Sequence, residues 1–272
     1  MSAAQAASAP ALAIPARPRR RAGVWIAIAV VAAITVITCL PAIGVGLDIA
    51  PIVANWRNGA TKIVELLTPD WSFFPRTVAP MIETLQMAVL GTVVGAAISL
   101  PLSFWAARPT NPHRAFRGAV RTLLNVIRAV PELVYAAVLV AMVGVGALPG
   151  IIALAIFNIG IIVKLVSESI DAQDAGAIEA GRAAGGTQAQ INRAIALADA
   201  WPAFVSQTLY VFELNVRAST VLGLVGAGGI GLLIDAVRTF YRYDQLSLII
   251  LEVLVVVVVI DLVSDAIRRR LV

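Results

Sequence analysis

Long charge-free runs alternate with short polar or glycine-rich interruptions along this chain, and the runs predict membrane-spanning helices. Ala22 to Leu47 carries no charge and exceeds the ~20 residues that cross a bilayer, so it is expected to form a first span. Further spans are predicted over about Ile82–Trp105, Thr122–Gly144, a fourth ending near Ser169, Ala200–Val225 and Asp244–Ile267. Leu133 to Val163 has no charge at all, but Gly144, Gly146, Pro149 and Gly150 divide it at a tight turn. In the second span, Gly91 and Gly95 offer a small face to a close helix neighbour, within the chain or from another subunit. The expected architecture is all-α and polytopic, with about six transmembrane helices.

One interruption has its own pattern. Glu179 to Ala184 is an Ala-rich short helix with Glu179 and Arg182 three apart, and Ala180, Gly181 and Ala184 leave a bare side that another backbone can approach. Gly185-Gly186 ends that helix, because paired glycines accept backbone conformations that a side chain disfavours. Thr187 with Gln190 is a capping-box pair that starts a second helix, with Ile191 and Ile195 on one face. Asp199 reads as the N-cap of the next span, with Pro202 in its first turn.

Composition agrees with the runs. The 272 residues are 60% hydrophobic and 14% charged, too apolar for a soluble domain of this length. With six spans, 15 of the 21 Lys and Arg lie on one side or at its edges, five on the other, and Arg217 within a helix. The positive-inside bias then places both termini in the cytoplasm. Basic residues here report topology, so no nucleic-acid partner is expected. Residues 1–21 read as a disordered basic tail. A signal peptide has an apolar region of only ~7–15 residues, so the first span is expected to remain uncleaved. Residues 22–81 comprise that span and an external segment whose Trp56, Trp71, Phe73 and Phe74 suit the lipid headgroup region, or less simply a substrate contact. Residues 82–272 hold the remaining spans and a cytoplasmic loop over 170–199. The single Cys39 has no partner for an intrachain disulfide.

Ionisable residues at membrane depth cost ~2.5–3.5 kcal/mol each on insertion scales, so they pair or line a pathway. Glu213, Asn215 and Arg217 in the fifth helix are such residues, and Glu213 and Arg217, four apart, can pair, as can Lys164 and Glu168. Arg128 and Glu132 join them as candidate pathway residues, with Arg128 and Arg217 the candidates for a field that favours an anion. Gly226, Gly228 and Gly231 satisfy G-x-G-x-x-G with Asp244 further on, but a dinucleotide site needs a parallel sheet that this chain has no room for. A glycine-rich turn followed by an amphipathic helix through Leu232, Leu233, Val237 and Phe240 accounts for the same residues. There is no phosphate-cradling G-x-x-x-x-G-K-[ST], so any ATP is hydrolysed by a separate subunit. The only histidine, His113, sits among Arg108, Arg114, Arg117 and Arg121 in a basic loop. No catalytic residue, cofactor or metal site is expected.

Glu179 to Ala198 resembles the EAA loop of ABC-importer permeases: Glu-Ala-Ala, three residues, Gly, nine residues, Ile, one residue, Leu-Pro. Glu179, Ala180, Gly185, Ile195 and Leu197 match, while Gly181 replaces the second Ala and Ala198 the Pro. The resemblance implies that Glu179, Ala180, Gly181, Gly185, Gly186, Ile195 and Leu197 couple the chain to an ATPase. TLQMAVLGTVVGAAISLPLSFWAAR (Thr84 to Arg108), RAVPELV (Arg128 to Val134) and FELNVRASTVLGLVGAGGIG (Phe212 to Gly231) further resemble the permease of bacterial phosphonate ABC importers. That family implies a type I ABC-importer permease fold and a homodimeric pore in the bacterial inner membrane, surrounded by lipid. Its implied partners are two cytoplasmic ABC ATPase subunits and a periplasmic or lipid-anchored substrate-binding protein. The implied cargo is phosphonate or a related small phosphorus oxyanion, with phosphite, phosphate or methionine as alternatives. Methionine-importer permeases resemble the chain in the glycine-rich turn. A secondary transporter would need coupling acids or histidines in several spans, and finds only Glu213 and Glu252. A membrane enzyme would need a nucleophile, metal or acid/base set that the sequence does not offer.

Overall fold

The computed structural model describes residues 22–40, 48 and 50–270, and every regular element among them is helical. The chain forms two compact units, one ending at Gly59 and one running from Ala60. In the first, α1 (Ala22–Cys39) is apolar with its side chains exposed from Gly23 onward, and α2 (Ala50–Ala54) is a single short turn. The expected basic tail and the end of the first span, 41–47, lie outside the described residues. α3 (Trp56–Leu67) straddles the unit boundary.

Within the second unit, the segment expected to lie along the interface ends in a 3-10 turn over Trp71–Phe73 that leads into the next helix. Asp70 caps that turn, accepting from the Ser72 hydroxyl at 2.6 Å and the Ser72 N–H at 3.0 Å. Those donors hold the Asp70 carboxyl below its ordinary pKa. α4 (Phe74–Ala106) therefore begins at Phe74 rather than near Ile82, with Pro75 pre-set for its first turn.

α4 is the column against which the unit packs. Its polar row is satisfied within the helix: Thr84, Thr92, Ser99 and Ser103 donate to the carbonyls of Pro80, Ala88, Gly95 and Ser99 at 2.6–2.9 Å. Such back-bonding lets hydroxyls sit in an apolar layer without unpaired protons. Gly91 and Gly95 pack against α7 (Ala147–Asp171), where a Cβ would come within 2.8 Å of Leu154 Cβ and 2.7 Å of Asn158 Cβ respectively. Their small face is thus an intrachain contact. Asn158 seals the crossing by donating to Gly91 O at 3.0 Å.

The third and fifth spans also depart from expectation. The third is two helices, α5 (Arg114–Ala129) and α6 (Glu132–Val143), bent by 82°. Pro131 supplies the break: it has no N–H to donate, and it pushes Val130 into an extended conformation (φ −94°, ψ 125°). The basic residues expected in a loop fall largely on α5, which is amphipathic about the buried Leu124. The fifth span has no new start at Asp199. α9 (Gln188–Ile191) runs through a π turn (Asn192–Ala196) into α10 (Leu197–Leu222), past Pro202. The cap at Thr187 had already started that helix, and Ala196 and Leu197 keep helical dihedrals, so Asp199 has no free N-terminus to cap.

The glycine-rich turn joins α10 to α11 (Ile230–Thr239) at a 49° bend, and α12 (Tyr243–Arg268) follows. Gly226, Gly228 and Gly229 have φ of 89°, 86° and 70°, a region that disfavours any residue with a Cβ. Thr84 accepts the Ile230 N–H at 2.7 Å, which moors the turn to α4. Inside it Gly223 and Gly231 meet backbone to backbone: a Cβ on Gly231 would stand 2.2 Å from Thr220 O and 2.6 Å from Gly223 Cα. No dinucleotide-binding sheet exists among the described residues. Beneath the turn, Phe73, Met81, Ile230, Val237, Leu248 and Ile249 form one buried cluster.

By length and composition, Trp71–Ala106, Ala147–Asp171 and Tyr243–Arg268 can each cross a membrane, and the two bent pairs raise the number to five among the described residues. The shortfall from six lies in α1, whose apolar part is described only over Gly23–Cys39.

Candidate coupling site

At the end of the bundle where α7 closes at Asp171, the chain turns out into α8 (Ala175–Ala183), the glycine elbow and α9. Asp174 starts α8 by accepting the Gly176 N–H at 2.9 Å. The elbow is a Schellman motif: Gly186 N–H donates to Gly181 O at 3.1 Å and Gly185 N–H to Arg182 O at 2.9 Å, with Gly185 at φ +79°. The Thr187 capping box is present on both sides, Thr187 N–H to Gln190 Oε1 at 2.8 Å and Gln190 N–H to Thr187 Oγ1 at 3.4 Å.

The predicted bare face divides in two. Gly181 turns inward, where a Cβ would lie 2.8 Å from Ile195 Cδ1 and 3.3 Å from Ile191 Cγ1. Its missing side chain lets the two short helices close on each other, and Ile191 is buried by that contact. Ala180, Ala183 and Ala184 remain exposed beside Glu179. Glu179 forms no ion pair with Arg182 despite their spacing. Arg182 instead donates to Pro109 O at 3.3 Å. Leu197 sits at the join with α10, half-buried.

Residues that the loop motif did not single out hold the hairpin against the turn after α4. Gln188 Nε2 donates to Pro109 O at 3.2 Å and Asn192 Nδ2 to Thr110 O at 3.3 Å, while Gln173 Nε2 reaches Ala196 O at 3.1 Å. Asp171 ties the base: its carboxylate accepts from Arg108 N–H and Arg121 Nη2, each at 2.6 Å, and Arg121 Nε donates to Ala106 O at 2.7 Å. Their signal in the sequence was amide residues within and before the motif and charged residues before it, with partners distant in the chain. Asp171→Ala strips a half-buried guanidinium of a charged partner, a loss of about 2 kcal/mol. Hydrogen–deuterium exchange over 108–121 and 171–178 is expected to accelerate; unchanged protection would remove Asp171 from this role.

The candidate pathway residues are separated rather than gathered. Glu213 does not pair with Arg217. It pairs with Arg268 at the end of α12, while Arg217 pairs with Asp261 at 2.6 Å. Both partners, Arg268 and Asp261, lie on α12, across the bundle from α10, and those contacts replace the local one. Asn215 is buried and donates to Thr92 Oγ1 at 2.7 Å, so it fastens α10 to α4. Glu132 occupies the first turn of α6, where the helix dipole favours a carboxylate. Arg128, exposed at the end of α5, borders a cavity with Lys164 and Arg268. Among the described residues no group of His, Cys, Asp or Glu could hold a metal.

Known proteins are similar to this chain in sequence and fold. The family model "Binding-protein-dependent transport system inner membrane component" matches residues 99–272. The phosphite transport system permease protein PtxC of Stutzerimonas stutzeri is 38% identical over 82% of this chain and 82% of its own. The phosphate-import permease protein PhnE of Mycolicibacterium smegmatis is 42% identical over 70% of this chain, which spans 36% of that longer protein. A chain from inward-facing conformations of the MetNI methionine ABC transporter superposes with a TM-score of 0.67 at 24% identity, covering 75% of this chain and 99% of its own, and shows the shared fold. With the helical bundle and its projecting hairpin, these matches establish that the chain belongs to the family of inner-membrane components of binding-protein-dependent transport systems, as the permease subunit of an ABC importer.

Proposed function

We propose that this permease carries a small phosphorus oxyanion, phosphonate, phosphite or phosphate, into the cytoplasm, and that a separate ATPase subunit drives it by docking on the hairpin of α8 and α9. The cargo class follows the relatives, named for phosphite, phosphate and phosphonate transport. Two copies of the chain would enclose the path, with a substrate-binding protein delivering the anion on the far side. Both termini and the hairpin face the cytoplasm, in keeping with the basic residues of α5, the hairpin and the end of α12.

The observation that carries the coupling reading is continuity. α9, the π turn and α10 form one uninterrupted helical rod, so a push on the docked hairpin reaches the spanning helix without crossing a hinge. Closure of two ATPases would move both hairpins as bodies and reorient the α10 helices that flank the path. The exposed Glu179, Ala180, Ala183 and Ala184 face the ATPase, and Gly185 sets the angle of presentation.

Reconstituted complexes with the ATPase and binding protein test this. Wild type is expected to take up phosphite, phosphate or methylphosphonate on ATP addition. Gly185 has open space around it but a left-handed φ, so Gly185→Val strains the elbow by roughly 1–2 kcal/mol without a clash. The variant is expected to keep its melting temperature within a few degrees while uptake and stimulated ATP hydrolysis fall about ten-fold or more. Full stimulation in that variant would refute the elbow's role.

A further inference from the structure

Where α5, α7, α10 and α12 converge toward the hairpin end lies a cavity of ≈510 Å³, within the ~300–1,000 Å³ range of small-molecule sites. Three of its lining side chains are cations from three different helices: Arg128, Lys164 and Arg268. Ser206, Gln207 and Tyr210 of α10 add polar groups, and among the described residues no carboxylate lines the cavity. Around it Lys164 is paired with Glu168, and Arg268 with Glu213. Arg128 has no acidic partner among the described residues. The cavity therefore carries uncompensated positive charge.

Two details show that the arrangement is built in. Gly160 makes room for the Arg128 stem, since a Cβ there would meet Arg128 Cγ at 2.6 Å. Arg268 Nε is buried without an acceptor among the described residues, an unmet donor of the kind an incoming oxyanion or water satisfies. Guanidinium groups with hydroxyl and amide donors suit a tetrahedral phosphorus oxyanion, whose oxygens are acceptors on every side. That chemistry is shared by a free anion and a phospholipid headgroup.

We infer that this cavity is a transit site for the free phosphorus oxyanion on its way out of the permease, with Arg128 as its principal ligand. The inference rests on the importer reading above and adds the residues that hold the cargo.

The test uses the permease–ATPase complex in phosphatidylcholine nanodiscs, with binding protein and ATP withheld, titrated with labelled phosphite, phosphate and methylphosphonate. Wild type is expected to bind at least one of them saturably. Arg128→Gln and Gln207→Leu are each expected to weaken that binding about ten-fold or more, while Arg238→Gln, a surface cation outside the cavity, leaves it unchanged. Absence of saturable binding by wild type, or wild-type affinity in Arg128→Gln, overturns the inference. Binding only of phosphatidylglycerol, retained by wild type and lost in Arg128→Gln while free anions do not bind, overturns it in favour of a lipid headgroup site. Uptake separates the two readings. Transport at the wild-type rate by Arg128→Gln removes the cavity and leaves the importer standing, whereas no uptake of any phosphorus oxyanion by wild type removes the reading on which the inference rests.

Discussion

Gly231→Ala is expected to abolish the folded permease. The new methyl group would have to occupy a position 2.2 Å from Thr220 O and 2.6 Å from Gly223 Cα, and all three obstructing groups, with Gly223 N at 2.9 Å, are backbone. A flexible side chain can swing aside, but here α10 and α11 must part, and the Ile230 cluster beneath the turn parts with them. We expect a loss of more than ~4 kcal/mol, the range reached only by severe overpacking or strain. The measurement is the yield of monodisperse protein in mild detergent together with its melting temperature. Gly118→Ala is the control, since nothing lies within 4 Å of its Cβ position on α5, and it should be neutral or stabilising by about 0.5–1 kcal/mol. A Gly231→Ala protein that melts with wild type would show that the two helices do not cross at these glycines.

Glu213→Ala should be the next most damaging change. The Glu213 side chain is 11% exposed and that of its partner Arg268 28%. Removing the acid leaves a largely enclosed guanidinium whose only other carboxylate among the described residues, Asp265, stands at 3.6 Å. Breaking a buried pair from one side costs about 3 kcal/mol at the lower end of the usual range, and the partial exposure of Arg268 argues for that end. The double variant Glu213→Ala/Arg268→Ala removes both charges and should recover much of the loss. The check is a thermal double-mutant cycle: strictly additive losses would mean that the two residues do not interact.

Much of the fold was legible because its signals are local. The Gly185 elbow and the Thr187 capping box are decided by residues within one helical turn of each other, and both stand where the spacing put them. The turn after α6 and the glycine-rich turn before α11 were read on the same basis. What failed depended on partners far along the chain. Glu213 and Arg217 sit at ideal helical spacing, yet each is closer to a residue of α12, and no local pattern encodes that preference. Asn215 looked like a polar residue at membrane depth in search of a ligand, and the ligand is Thr92. Two of the helix boundaries that moved illustrate competition between signals. Pro131 broke a run whose hydropathy was continuous enough to read as one span, and the Thr187 cap made the second start at Asp199 unnecessary. Gly181 was identified as part of a bare surface, but which of two bodies that surface admits is a tertiary matter.

The hairpin is held to the turn after α4 by Arg182, Gln188 and Asn192, and every acceptor in that set is a main-chain carbonyl, of Pro109 or Thr110. Carbonyl oxygens are common to all residues, so the receiving side of this contact reads chain path and ignores side-chain identity. Substitutions along 109–110 that preserve the turn can therefore accumulate without compensating change, whereas the three donors have no such freedom. In a library of variants, tolerance should be lopsided across one and the same interface: permissive where the hydrogen bonds are received and strict where they are given.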